Sequence, residues 1–198
     1  MRKLSKRSFA VAGAALVAVA LGLALPRLVS SNGVSAAELK RADVARAATG
    51  TPKQRFAQLS RQHTNQCGLS GVDLDKIAVG GRLQGSCCKA MVYDRYVQQV
   101  SGLHAYAAVS DIPADPYDIP VSLAKRLTGY SDSIKLNASE HAVYDRAVKL
   151  SDEHGPCCCH CWRWKGFQGQ AMQLIVRRQF TAAQVARVWN LEDGCGGG

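Results

Sequence analysis

Residues 137–161 read NASEHAVYDRAVKLSDEHGPCCCHC, a helical pattern that stops abruptly and runs into a cluster of cysteines. Asn137 followed three positions later by Glu140 is a capping-box start: the Asn side chain accepts from an exposed amide while the Glu reaches back. Val143, Ala147 and Leu150 then recur at helical spacing on one stripe. Gly155-Pro156 ends the pattern, since proline cannot continue a helix and glycine suits its C-terminal turn. Four cysteines follow within five residues, Cys157, Cys158, Cys159 and Cys161, with His160 among them.

The same helical rhythm extends in both directions. Upstream, Met91, Val92, Tyr96, Val100 and Leu103 predict a buried helix face. The stretch from Asp111 to Pro120 carries three prolines and must be an ordered loop or a short extended segment. Pro120 suits the first turn of a helix bearing Val121, Ala124 and Leu127 and closed by Gly129. Downstream, a helix is expected from about Phe167 to Phe180. Thr181 with Gln184 forms a second capping box, opening a short helix with Val185, Val188 and Trp189. The final residues, 193–198, are glycine-rich and expected to be flexible at their tip. No sustained β-alternation and no internal repeat is visible, so the expected fold class is all-α.

Ahead of this domain, residues 37–60 lack an apolar face wide enough to anchor a core and read as a flexible tether. The expected organisation is an export segment over 1–36, a tether over 37–60, and a cysteine-rich helical domain over 61–198. The first segment has the parts of a signal peptide: the basic start MRKLSKR, an apolar Ala-rich run from Phe9 to Leu25, and small residues Val34 and Ala36 around a cleavage position. Ser5-Lys6-Arg7-Ser8-Phe9 also has the look of a twin-arginine signal. Left uncleaved, the same apolar run would act as a membrane anchor, near the short limit for spanning a bilayer. Either outcome places the rest of the chain in an extracytoplasmic compartment, secreted, periplasmic or envelope-associated, where disulfides are permitted.

Charge argues against one large class of function. The formal net charge is +10, but five of the 25 basic residues (Arg2, Lys3, Lys6, Arg7, Arg27) lie in the export segment, which has no acidic residue. The remaining basic residues are scattered, without the clustered stripe that nucleic-acid binding requires. No Ser-His-Asp set, carboxylate pair or phosphate loop stands out either.

The eight cysteines are Cys67, Cys87, Cys88, Cys157, Cys158, Cys159, Cys161 and Cys195. An even count in an oxidising compartment is compatible with a disulfide framework. Crowding argues for metal as well, because thiolates around one zinc lie about 3.8 Å apart, as a Zn–S bond of about 2.3 Å in a tetrahedron dictates. A helix would put Cys157, Cys158 and Cys161 on one face, and an extended chain would align Cys157, Cys159 and Cys161. Neither presents all four, so a turn and a second segment are needed, and Cys87-Cys88 is the expected donor. The metal site predicted from sequence is therefore Cys157, Cys158, Cys159, Cys161, His160, Cys87 and Cys88. Cys67, Cys195 and His154 are candidate further ligands or disulfide partners. Sulfur donors favour soft ions, copper or zinc foremost. Haem attachment is excluded because Cys161 is followed by Trp162 rather than His. Trp162 and Trp164 are expected to cover the cluster.

At Pro156-Cys-Cys-Cys-His-Cys161, with the helix that precedes it, the chain resembles the PCYCGC-motif proteins, which are exported, largely lipid-anchored bacterial proteins of unknown function. The resemblance covers about residues 120–165. Cys157, Cys159 and Cys161 match the motif cysteines, Cys158 stands in the place of Tyr and His160 in that of Gly. The family's lipidation cysteine is missing. The resemblance implies export and a cysteine site without implying a reaction.

Three functions remain open on the sequence. The first is an exported, non-catalytic soft-metal-binding protein. The others are a disulfide-stapled interaction domain and a thiol–disulfide redox protein built on the C-x-x-C interval from Cys158 to Cys161.

Overall fold

A computed structural model of the chain describes residues 35–47, 49–67 and 72–196. The export segment read over 1–36 therefore lies, but for its last two residues, outside the described residues. Among the described residues the fold is mostly helical, 58% helix with seven α-helices and one small two-stranded sheet. In chain order the elements are α1 (Ala36–Ala47), α2 (Pro52–Leu59), β1 (Arg82–Gln84), α3 (Tyr93–Leu103), β2 (Asp118–Pro120), α4 (Val121–Ser133), α5 (Ala138–Leu150), α6 (Trp162–Arg178) and α7 (Ala182–Glu192). Short 3-10 turns occupy Leu74–Lys76 and His104–Tyr106. None of the described helices is long and apolar enough to cross a membrane.

Both capping boxes form as their spacing dictates. Asn137 and Glu140 exchange side-chain-to-backbone bonds at the start of α5, and Thr181 and Gln184 do so at α7. A third, Thr51 with Gln54, opens α2. Helix α6 begins at Trp162, five residues earlier than its periodicity suggests, and Cys161 is its N-cap residue. Pro120 precedes α4 as its N-cap and also ends β2. Gly129 does not close that helix, which continues to Ser133. Leu150, the last residue of α5, and Val92, the N-cap of α3, both expected on buried stripes, are 47% exposed.

The main core lies between α4 and α6, with α5 and α7 against them: Leu127, Ala147, Phe167, Ala171, Val185 and Trp189 are buried together with Leu83 and Ile119 of the sheet. Gly169 lets α6 approach α4 so closely that a Cβ there would overlap the Leu127 carbonyl. The sheet pairs Leu83 with Ile119 in antiparallel register.

Residues 37–60 are not a flexible tether. They carry α1 and α2, and their anchorage is polar rather than apolar. Lys40, Asp43 and Arg55 are buried, as is Leu59. The Lys40 ammonium donates to the Ile112 carbonyl. Asp43 accepts from Arg82 at 2.8 Å and from the Ala114 amide at 3.2 Å. Asp118, almost wholly buried, accepts from Arg55 at 2.7 Å, Arg82 at 2.5 Å, Gln84 at 3.0 Å and Arg46 at 3.3 Å. These cations hold its carboxyl below the usual range, against the opposing effect of burial. The proline-rich 111–120 stretch is thus an ordered, buried axis on which both helices rest.

Candidate metal centre

Four separate segments deliver sulfur to one end of the helical core. The first holds Cys67. Two residues earlier, the fully buried Asn65 donates to the Gly85 carbonyl at 2.9 Å and accepts from the Trp162 indole at 3.1 Å, tying the segment to β1 and α6 at once. Gly85 has φ +88°, and a Cβ there would collide with the Gln62 backbone, so the chain can turn here only because the residue is glycine. That turn carries the second segment, Cys87-Cys88, alongside the first. Cys67 and Cys87 form a disulfide across a Cα–Cα distance of 5.5 Å.

The third segment is the cluster. After α5, the Gly155 amide donates to the Ser151 hydroxyl at 2.9 Å, and His154 takes the left-handed conformation, φ 50°. Residues 157–161 are neither helix nor strand. The Cys161 amide donates to the Cys159 carbonyl at 2.9 Å, which folds the segment into the turn its spacing requires. The fourth segment is the stretch after α7. Cys87 donates its amide to the Gly194 carbonyl at 2.8 Å, and Lys89 donates to Cys195 at 2.7 Å, so residues 194–195 lie beside 87–89. Asp193 fixes the turn by accepting the Cys195 amide at 3.0 Å. The terminal stretch is docked through Gly196, and the tip expected to be flexible, residues 197–198, lies outside the described residues.

Arg163 lies under this arrangement and is fully buried. It donates to the Pro116 carbonyl at 2.5 Å and the Glu192 carbonyl at 3.4 Å. Its guanidinium also stands 5.3 Å from the Trp162 ring centre and 5.7 Å from that of Phe167. It positions the stretch bearing Cys195.

The sulfurs converge. Cys159 is 3.6 Å from Cys67, 3.9 Å from Cys87, 3.6 Å from Cys88 and 3.9 Å from Cys161. Cys158 is 3.9 Å from Cys88 and 2.7 Å from Cys195, and Cys195 is 3.7 Å from Cys157. Two sets emerge with all sulfurs mutually within 4.8 Å: Cys67, Cys87, Cys159 and Cys161, and Cys88, Cys158 and Cys195. Cys157, Cys158 and Cys159 form a third that overlaps both. Clustered this way, the cysteines could hold a metal ion, and they equally suit a disulfide-stapled domain.

Every cysteine expected at the site is part of the cluster, and so are Cys67 and Cys195. The two histidines are not brought into these sets. His160 stacks on Trp164, ring centres 4.1 Å apart, and His154 is exposed on its turn. Trp162 is buried in the main core. Asn65, Gly85, Arg163 and Asp193, which set the geometry, carry no periodic or motif signal. The roles of Asn65 and Arg163 arise from contacts far apart in sequence.

Cys158, Cys159 and Cys161 are shifted toward their protonated form. Partial desolvation within the cluster pushes the solvent-facing Cys158 up to about 12, reinforced by the neighbouring Cys157, Cys159 and Cys88 thiols. Burial and the adjacent Cys157 and Cys161 raise Cys159 further, and the Cys157 hydrogen bond together with burial raises Cys161. Without a cation, several thiolates this close repel one another. Cys88 and Cys158 are exposed, whereas Cys157 and Cys195 are buried, so the cluster opens to solvent along one edge. No protein-family model, curated protein or solved structure matches this chain.

Proposed function

We propose that this is an extracytoplasmic, non-catalytic protein that binds a soft metal ion, copper or zinc, through its cysteine thiols. One observation carries the reading: sulfurs from four chain segments converge, their neighbouring non-bonded pairs at 3.6–3.9 Å except Cys158 and Cys195 at 2.7 Å, with no carboxylate or imidazole among them. That spacing matches the about 3.8 Å between thiolates sharing one tetrahedral ion. An all-sulfur donor set selects soft or borderline ions over calcium and magnesium. A bound cation also offsets the thiolate repulsion that otherwise keeps these groups protonated. The extracytoplasmic placement rests on the sequence of residues 1–36, and the local resemblance at Pro156–Cys161 is in keeping with it.

The upward shifts of Cys158 and Cys161 speak against redox chemistry on their C-x-x-C interval, whose attacking cysteine needs a depressed pKa. The disulfide-stapled reading has a specific observation in its favour, namely the Cys67–Cys87 bridge together with the 2.7 Å approach of Cys158 to Cys195. Elemental analysis and thiol counting on protein recovered from the exported fraction separate the two. Stoichiometric copper or zinc, with thiols that become reactive on chelation, supports metal binding. Four disulfides with neither metal nor free thiol would overturn it.

A further inference from the structure

The Cys67–Cys87 disulfide is placed where a four-sulfur site would otherwise be complete. Both its sulfurs belong to the set with Cys159 and Cys161, and Cys159 lies 3.6 Å from one and 3.9 Å from the other. In the disulfide, neither sulfur is a thiolate, so only Cys159 and Cys161 are left as thiol donors in that set. The set of Cys88, Cys158 and Cys195 contains no disulfide and has its thiols free, although Cys158 and Cys195 approach to 2.7 Å; Cys157, also free, stands beside it at 3.7 Å from Cys195. The two sets adjoin, with Cys88 and Cys159 3.6 Å apart.

Resting on the metal-binding reading above, we propose that the cluster holds two ion sites, one always available and one opened by reduction of Cys67–Cys87. The permanent site is formed by Cys88, Cys157, Cys158 and Cys195. The gated one is formed by Cys67, Cys87, Cys159 and Cys161. Opening requires a dithiol reductant. It supplies two electrons and two protons, the Cys67–Cys87 bond breaks to give two thiols, and the reductant closes to its own disulfide. Loading of a divalent ion then displaces protons from the four thiols to solvent. Reoxidation by a disulfide oxidant, which takes the two electrons back, expels the ion. The chain would thus carry a metal capacity set by the thiol redox poise around it.

Zinc is the suitable probe because it does not itself change oxidation state. The full chain, freed of metal anaerobically, is titrated with zinc against a chromophoric chelator. One sample has Cys67–Cys87 intact and six free thiols, and the other is reduced to eight. The expected capacities are one zinc per oxidised chain and two per reduced chain. In Cys195→Ser the capacities should fall to none and one. In the double variant Cys67→Ser, Cys87→Ser the capacity should be one under both conditions. Equal capacity in the two wild-type samples, or a reduced chain that loses its helical circular dichroism instead of loading a second ion, overturns the gate while leaving metal binding in place. No zinc in either sample overturns both readings. The wild-type comparison needs no variant to fold.

Discussion

The backbone of Gly194 packs against the guanidinium of Arg163 so closely that a Cβ would overlap Cζ and both terminal nitrogens. Each residue thereby fixes the other: the arginine caps carbonyls at Pro116 and Glu192, and the glycine lets residues 193–195 pass over it on their way to Cys87. Replacing Arg163 by Met should leave two buried carbonyls unpartnered and cost about 3 kcal/mol. Denaturant unfolding measures the loss. In the same variant Cys195 should react with a maleimide faster than in wild type.

Asp118 gathers three arginines, from α1, α2 and β1. Asp118→Ala leaves Arg55 buried with only the more distant Asp115, at 3.7 Å, for compensation. A loss of about 3–5 kcal/mol is expected, since removing one member of a buried ion set strands the other. Limited proteolysis should then cut first within residues 35–60.

Glu192 is fully buried, and burial pushes its carboxyl up to about 8, despite the Gln170 hydrogen bond and the charges of Lys40 and Arg163. In the unfolded chain the same group titrates near about 4.3. Between those values the folded chain keeps a proton that the unfolded chain releases, so stability is full below the lower value and is lost as pH rises through the upper. Asp115, raised to about 6 chiefly by burial, acts in the same direction over the lower part of that window. Melting temperature should therefore fall from pH 5 to pH 8. Glu192→Gln should flatten the decline and melt above wild type at pH 8; a parallel decline in the two proteins would contradict this account.

The Cys67–Cys87 bridge spans 20 residues. Closing a loop of that length restricts the unfolded chain by about 3 kcal/mol. Reduction without metal should lower stability by about that amount. Added zinc should restore part of it by binding only the folded chain, which a thermal melt with and without zinc will reveal.

How much of this was legible in the sequence depended on the range of the interaction. The caps at Asn137 and Thr181 are local and formed where their residues stood. The need for a turn at 157–161 was legible too, because backbone geometry limits which sulfurs one segment can present. Residues 37–60 were misread because Lys40, Asp43 and Arg55 look like surface charges until Asp118 and the Ile112 carbonyl are placed beside them. The sheet was invisible for a similar reason: three-residue strands are too short to show alternation. Cys67 and Cys195 entered the cluster through Asn65 and Arg163, whose partners lie tens of residues away.

The four-segment origin of the sulfurs also bears on how the protein is made. Before folding, the run of Cys157, Cys158 and Cys159 meets its partners only by diffusion of a long chain, and any oxidant can join the wrong thiols first. The correct arrangement is selected only once α5, α6 and the 193–195 stretch have docked. Yield should accordingly depend on the order of events. Folding under reducing conditions followed by oxidation or metal loading should recover more native protein than oxidative refolding, which will accumulate scrambled isomers.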